Sequence, residues 1–207
     1  MVGNDDRSAD ATASDIVAYP SKVIASSLHT TEGARFIETY WALQRHTGKL
    51  VPPRQAFNPS LAKSLLPHMG IIEVREPRLA LIRLVGTGIV NRTRINNTGR
   101  NLMERLPAAL RETTWQHLTC MINTPCGSAF LSKEANGYVS ALIETVCLPL
   151  ADTDGTARFI FSVSTTIDRQ QLARRDEQEM QIAEQHDYRF IDISDGLVPR
   201  SARLSVC

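Results

Sequence analysis

Three strand-like segments in the second half of the chain constrain its fold more than any other feature of the sequence. They read GSAFLSKEA from Gly127, YVSALIETVCLPLA from Tyr138 and RFIFSVSTTI from Arg158. The dipeptides Asn136-Gly137 and Asp154-Gly155 separate these segments, and such dipeptides favour tight hairpins. Because a hairpin pairs neighbouring strands antiparallel, this half of the chain predicts a three-stranded meander.

The first half of the chain supplies further helices and strands. Apolar residues recur at helical spacing from Gly33 to about Gly48, and Asn58 precedes Pro59 as the N-cap of a short helix. After Gly70 the spacing becomes strand-like, so GIIEVRE and LALIRLVGTGIV predict a hairpin. TGRNLMERL predicts a short helix and RETTWQHLTCMINT a longer one. This order predicts an α+β fold, with one five-stranded antiparallel sheet and helices on one face.

Alternation along the last strand indicates which side chains face the core. Phe159, Phe161 and Val163 share one face, whereas Ser162 and Ser164 share the other. We therefore expect the aromatic face to look inward.

Composition excludes several classes of partner. The 207 residues are 43% hydrophobic, which is enough for one good core, and the net charge of +1 offers no field for nucleic acid or anionic lipid. The start of the chain lacks an apolar leader, and no run is long enough to span a membrane. We expect a cytoplasmic protein without nucleic-acid or membrane partners. No CxxC spacing links the four cysteines, so we expect reduced thiols.

The glycines of LIRLVGTGIV raise the possibility of a phosphate loop. Gly86 and Gly88 fit a dinucleotide fingerprint, but Asn91 stands where the third glycine is needed. The glycines are therefore predicted to serve the architecture of the strand and its exit.

Three stretches of the chain resemble the PAS domain family, in the divergent bacterial form that opens with a tryptophan-bearing helix. They are YWALQRHTGKLVPPRQAFNPSLAKSLLPHMGIIEV, RLVGTGIVNRTRINNTGRNLMERL and ETVCLPLADTDGTARFIFSVST. The resemblance implies the strand order 2-1-5-4-3, with helices wrapping the concave face and any ligand between them. It places a PAS-like domain at residues 33–168, a flexible or helical N-terminal arm outside the core at 1–32, and a C-terminal flank at 169–207. That flank is predicted to be a charged helix followed by a short apolar tail.

The resemblance also implies a non-catalytic sensory or interaction module in bacterial signal transduction. With no effector pattern in the chain, its output would act in trans on an unidentified signalling protein, and homodimerisation is expected. The alternatives are a ligand-free adaptor or scaffold, and a small-molecule enzyme of cone fold. No constellation of nucleophile and base argues for an enzyme.

Candidate site residues follow from the predicted pocket. The pocket candidates are Ile82, Leu84, Met103, His117, Met121, Leu142, Glu144, Val146, Phe159 and Phe161. Thr87, Arg92, Arg94 and Arg100 are candidates for holding an anion at the rim. Phe36, Tyr40 and Trp41 are candidates for an interface, because they form one aromatic helix face.

Cofactor and metal chemistry has little support in the sequence. Haem-binding relatives take an axial histidine from the helix before the third strand, where His117 stands, but a lone histidine on such a helix is usually a core-edge residue. The Asn-Cys-Arg-Phe-Leu-Gln motif of flavin photoreceptors is absent. No cofactor is required by the sequence, and no metal site is predicted.

Overall fold

A computed structural model describes residues 18–135, 139–171 and 181–194. The predicted turn at Asn136-Gly137, residues 172–180 of the predicted charged helix and Cys207 lie outside these ranges. No helix among the described residues is both long enough and apolar enough to cross a membrane.

The described strands form one sheet. They are β1 (Ala18–Pro20), β2 (Met69–Arg75), β3 (Leu79–Val85), β4 (Gly127–Ala135), β5 (Val139–Ala151), β6 (Ala157–Gln171) and β7 (Gln181–Asp192). Their order is β1-β7-β4-β5-β6-β2-β3. Five of these strands lie side by side in the predicted order, which is β3-β2-β6-β5-β4, and all of their pairings are antiparallel. The α+β prediction is confirmed, but the expected strand count is wrong, because β7 adds to β4 and β1 adds to β7.

The helices begin and end at local signals. They are α1 (Ser21–Ser27), α2 (Thr31–Thr47), α3 (Thr87–Thr93), α4 (Leu102–Arg105) and α5 (Ala108–Asn123), with 3-10 turns at Arg54–Ala56, Pro59–Ala62 and Leu66–His68. The Thr30 hydroxyl accepts a hydrogen bond from the Gly33 N–H at the start of α2, and Gly48 ends the helix in the left-handed region at φ 63°. The Asn58 side chain accepts from the Ser60 N–H, as an N-cap does.

Helices cover both faces of the sheet, which corrects the expectation of one covered face. Phe36, Ile37 and Tyr40 of α2 pack in a core with the face of β5 and β6 that carries Val146 and Phe161. On the opposite face, α4 and α5 form a second core with Cys147 and Ile160, among others. Because both faces of the central strands are buried, side chains of either parity are mostly apolar or small.

Two local expectations, on the extent of the second strand and on the C-terminal flank, are wrong. The second strand ends at Val85, and Thr87–Thr93 is helical rather than extended. Gly86 has an ordinary φ of −66°, and glycine is needed because a Cβ there would lie 2.5 Å from the Leu66 carbonyl oxygen and closer still to that of Pro67. The described part of the C-terminal flank is strand, not helix.

The described part of the N-terminal arm also belongs to the fold. β1 pairs with β7, α1 is helical as one alternative of the prediction had it, and the Ile24 side chain lies in the core with 1% of its surface exposed. The expectation that the arm lies outside the core is therefore wrong for residues 18–32.

Candidate functional site

A pocket of about 230 Å³ lies between the sheet and helices α3 to α5. Its floor includes a row of small side chains that crosses four strands, because Ser128 pairs with Cys147, Cys147 with Ser162, and Ser162 with Gly70. All four residues line the pocket. A Cβ on Gly70 would lie 2.8 Å from the Ser162 Oγ, so the floor has no spare room there. The cavity exists because these neighbouring positions carry small side chains.

The walls of the pocket are largely apolar. Ile72, Ile82, Leu84, Ile89, Ile95, Leu102, Leu106, Leu118, Met121 and Ile182 contribute to the lining. Such apolar walls with a few polar groups are typical of small-molecule sites.

One end of the pocket is aromatic. The His117 ring of α5 stacks on the Tyr188 ring of β7, with 3.8 Å between the ring centroids. The Phe130 ring of β4 lies almost parallel to the Tyr188 ring, with 5.3 Å between the two ring centroids. The strand β7, from the predicted flank, therefore supplies part of the wall.

The other end of the pocket holds a buried ion pair between α3 and β4. Arg92 Nε lies 2.9 Å from a Glu134 carboxylate oxygen, and the two side chains are only 10% and 8% exposed. The guanidinium also donates to the Ser164 carbonyl at 3.2 Å and to the Ser164 hydroxyl at 3.1 Å. The Ser164 hydroxyl in turn lies 3.1 Å from that of Thr145. These contacts tie α3 to two strands of the floor.

Ser132 and Gln185 complete the polar end. They face each other across the β4–β7 pairing, and both line the pocket. Neither side chain makes a hydrogen bond to another residue of the described ranges. Both side chains can therefore pair with a polar group of a ligand.

Burial changes the titration of groups at the aromatic end. It lowers the pKa of His117 to about 4, so this imidazole is neutral at physiological pH. Burial raises the pKa of the Cys147 thiol to about 12, against a smaller lowering by a hydrogen bond with Ser128. It also holds the pKa of Tyr188 well above its usual value. A thiol that stays protonated is a poor nucleophile, so packing explains Cys147.

The structure divides the predicted pocket residues. Ile82, Leu84, His117 and Met121 line the pocket, while Met103 lies in the core beside it. Leu142 is half-buried on β5 and is not part of the lining. Val146, Phe159 and Phe161 lie in the opposite core with α2, so their placement in the pocket is wrong. The aromatic face of β6 looks inward as predicted, but towards the core with α2, and Ser162 and Ser164 face the pocket.

Glu144 also faces away from the pocket, which corrects its prediction. One carboxylate oxygen accepts from the His29 N–H at 2.7 Å, and the other accepts from the Thr30 N–H at 2.9 Å and the Thr30 hydroxyl at 2.6 Å. Thr30 is the N-cap of α2, so a buried carboxylate of β5 holds the start of this helix.

The four candidates for an anion rim do not form one site. Arg92 points into the pocket and is neutralised by Glu134, whereas Arg94 and Arg100 are exposed. Thr87, also exposed, opens α3. The only one of these arginines with a place in the pocket already has an anionic partner there.

The predicted interface residues lie mainly inside the domain. Phe36 is fully buried and meets Phe161 edge to face at 4.9 Å, and the Tyr40 hydroxyl donates to the Pro149 carbonyl at 2.8 Å. Trp41 is half-buried and donates from its indole nitrogen to the Ser21 hydroxyl at 3.1 Å. Phe36 and Tyr40 are therefore core residues, and their assignment to an interface is wrong.

The pocket residues that sequence reasoning missed include Ser128, Ser132, Glu134, Gln185 and Tyr188. Alternation along GSAFLSKEA puts the two serines and the glutamate on one face of the strand. This shared face was the signal in the sequence that could have placed them together in the pocket. Nothing local in the sequence marks β7 as the strand that joins this face.

The described residues provide little for a metal. They contain no group of three or more His, Cys, Asp or Glu side chains that could hold an ion. A haem or a flavin is also larger than the pocket, which lies below the range of about 300–1,000 Å³ typical of sites for drug-sized ligands. His117 is thus placed in the wall of a site that does not fit a haem.

Comparison with known proteins gives a family match and several matches among solved structures. The family model described as PAS domain matches residues 29–164. A solved structure reported as "Flavin Analogue Sheds Light on Light-Oxygen-Voltage Domain Mechanism" is 18% identical, with a TM-score of 0.40, and the match covers 53% of this chain and 85% of that one. No curated protein matches the chain.

Proposed function

This chain belongs to the PAS domain family, and we propose that it is a non-catalytic sensor that binds a small molecule in the pocket above β4, β5 and β6. PAS domains are sensory signalling modules in general. In the proposed function, the bound molecule changes how the domain engages a separate signalling protein. A cytoplasmic location, a bacterial setting and homodimerisation stay predictions from the sequence.

The observation that carries this proposal is the row of small residues on the floor. The small side chains of Ser128, Cys147 and Ser162 leave a hollow where larger side chains would fill the core. Well-packed interiors contain few voids larger than a water molecule. A hollow of about 230 Å³ with apolar walls and a polar end is suited to an organic ligand.

The absence of catalysis in this proposal is supported by how the buried carboxylates are used. Glu134 is paired with Arg92, and Glu144 accepts three hydrogen bonds on the other face of the sheet. A general base must reach its substrate with a free lone pair. The cone-fold enzyme, which needs a carboxylate beside a histidine at its cavity, is therefore the weaker alternative.

The experiment that tests this function is extraction of small molecules from the protein purified from cells, together with native mass spectrometry. Ser162→Leu fills the floor of the pocket, and Thr166→Leu, at an exposed position on the same strand, is its matched control. We expect the wild type and the control to carry the same small molecule and the filled variant to lose it. Thermal unfolding checks that each variant is folded.

Two results would argue against a sensor of this kind. If the wild type carries no small molecule and no metabolite in a screen raises its Tm, the ligand-free adaptor becomes the better account. If Ser162→Leu keeps the same molecule as the wild type, the ligand lies outside this pocket.

A further inference from the structure

The two ends of the pocket differ in chemistry, and both ends are built on the β4–β7 pair. Phe130 and Tyr188 belong to the aromatic end, whereas Ser132 and Gln185 belong to the polar end. Phe130 and Ser132 are two residues apart on β4, which corresponds to about 7 Å along a strand. This spacing matches the length of one aromatic ring with one substituent.

The volume limits the ligand to a similar size. A dry cavity of about 150 Å³ is large enough to hold benzene, and drug-sized ligands need at least about 300 Å³. The pocket of about 230 Å³ lies between these limits. One ring, or a small fused pair, with a short polar substituent is the size that fits.

The charges of the pocket favour a neutral ligand. Arg92 gives its hydrogen bonds to Glu134 and Ser164, so its charge is already balanced inside the protein. Arg105, which also contributes to the lining, is not without a partner either. An anionic ligand would compete with Glu134 for Arg92, and a cationic ligand would compete with Arg92 for Glu134. In both cases a buried charge would be left without its counterion, which is costly.

We propose that the pocket takes a neutral, single-ring amphiphile, whose ring lies against Phe130 and Tyr188 and whose uncharged polar group is recognised by Gln185. This inference rests on the proposed function and names the class of its ligand. The Gln185 amide has both donors and an acceptor, and the Ser132 hydroxyl opposite it has both as well. An amide or hydroxyl substituent would pair with them.

A consequence of this proposal is that the C-terminal strand sets the specificity. Gln185 and Tyr188 belong to β7, which lies beyond the residues 29–164 that match the family model. Variation in this strand would then change the ligand without changing the PAS core.

The test uses three probes of nearly the same shape and different charge: benzamide, benzoate and benzamidine. Toluene serves as an apolar reference, and binding to the full chain is measured by titration with two-dimensional NMR. We expect benzamide to bind at least about tenfold more tightly than either ion, because neither ion finds an unpaired counterion. We expect its binding to shift the resonances of β4 and β7.

The role of Gln185 is tested by Gln185→Leu, with Gln171→Leu at an exposed end of β6 as the matched control. Loss of the amide is expected to lower the affinity for benzamide by about tenfold and to leave the affinity for toluene unchanged. A hydrogen bond to an uncharged group contributes a factor of about that size to binding. The control variant is expected to bind all probes as the wild type does.

The outcomes separate this inference from the proposed function. Tighter binding of benzoate or benzamidine overturns the neutral class, and equal loss of benzamide and toluene in Gln185→Leu overturns the role of the amide. If benzamide does not bind, the inference is overturned whatever the extraction gives. The small molecules extracted from the purified protein then decide independently whether the domain is a ligand-bound sensor.

Discussion

Replacing Glu134 by Gln is expected to lower the free energy of unfolding by about 3 kcal/mol. The substitution keeps the shape of the side chain and removes its charge, so that the Arg92 guanidinium is left without a carboxylate in a buried site. Breaking a buried pair by removal of one partner typically costs about 3–5 kcal/mol. The lower value applies here because the Ser164 carbonyl and hydroxyl still accept from Arg92, and because 10% of the Arg92 side chain is exposed.

A double-mutant cycle separates the interaction from other effects of the substitution. Arg92→Met leaves the Glu134 carboxylate without its cation, and we expect a loss similar to that of Glu134→Gln. Arg92→Met combined with Glu134→Gln removes both charges together with their desolvation cost, and this variant is expected to be less destabilised than either single charge deletion. The coupling energy should therefore exceed about 2 kcal/mol.

Urea unfolding followed by circular dichroism measures these differences, provided that the m-value stays constant. Glu112→Gln is the control, because Glu112 pairs with Arg78 at an exposed site where the two side chains are 55% and 59% exposed. Its effect should stay below about 1 kcal/mol. The reasoning would be refuted if Glu134→Gln costs less than the control, or if the effects of the two charge deletions simply add.

Three further predictions concern groups outside this ion pair. Glu144→Gln should destabilise the domain by about 1–3 kcal/mol in urea unfolding, because the amide nitrogen cannot accept from the donors at Thr30 and His29; a loss below about 0.5 kcal/mol would contradict this role. Gly86→Ala should lower the free energy of unfolding by at least about 2 kcal/mol, because the added Cβ clashes with backbone carbonyls. Gly48→Ala is the control, since Gly48 lies in open space at φ 63°, and it should cost about 1 kcal/mol. Similar losses of stability in the two variants would argue against the clash. Because the pKa of His117 is lowered to about 4 in the folded state, the unfolded state binds more protons between about pH 4 and 6.5, so stability should fall as the pH falls through this window. The loss should be about 1–2 kcal/mol after allowance for the solvent contact of this half-buried ring, and His117→Phe should remove this part of the pH dependence of the urea midpoint.

Local signals account for the elements that the sequence predicts well. The helix α2 ends at Gly48, and Asn58 caps the turn that begins at Pro59, because these residues satisfy orphan backbone groups within a few positions of themselves. The hairpin of β2 and β3 follows from alternation and turn residues in the same way. These features depend on near neighbours, so the sequence alone is enough to place them. The order of the five central strands depends on distant segments, and it was implied by the resemblance to the PAS domain family and not by a local pattern.

The faces of the central strands could not be predicted in this way. Nearly every residue of β5 from Ile143 to Ala151 is buried, since α2 covers one face and α4 and α5 cover the other. Alternation then has no polar side to reveal the parity. The aromatic residues Phe159 and Phe161 belong to the tighter core with α2, and the serines between and after them face the cavity. The face of β6 that carries the serines is thus the floor of the pocket, which alternation alone did not indicate.

The strand β7 was missed for a different reason. Its sequence QIAEQHDYRFID carries charges on both sides, and its pairing with β4 shifts register twice. Asp187, next to Tyr188, has a φ of 51°, which breaks the alternation expected of a regular strand. Only its pairing with β4 reveals that Tyr188 reaches the pocket, and such a pairing between distant segments has no local signal.

Both edges of the five-stranded core are covered by other parts of the chain. On one side β7 pairs with β4, and on the other the Ile82 N–H donates to the Arg100 carbonyl at 2.9 Å while the Ile82 carbonyl accepts from Gly99 at 2.7 Å. An uncovered edge strand is a ready site for a strand from another protein. A partner that used the β4 edge would have to displace β7, the strand that carries Gln185 and Tyr188 to the pocket. In the proposed function, a ligand that contacts these residues therefore stabilises the pairing of β7 with β4 and lowers the affinity of a partner for the β4 edge. A partner bound at that edge lowers the affinity for the ligand by the same factor.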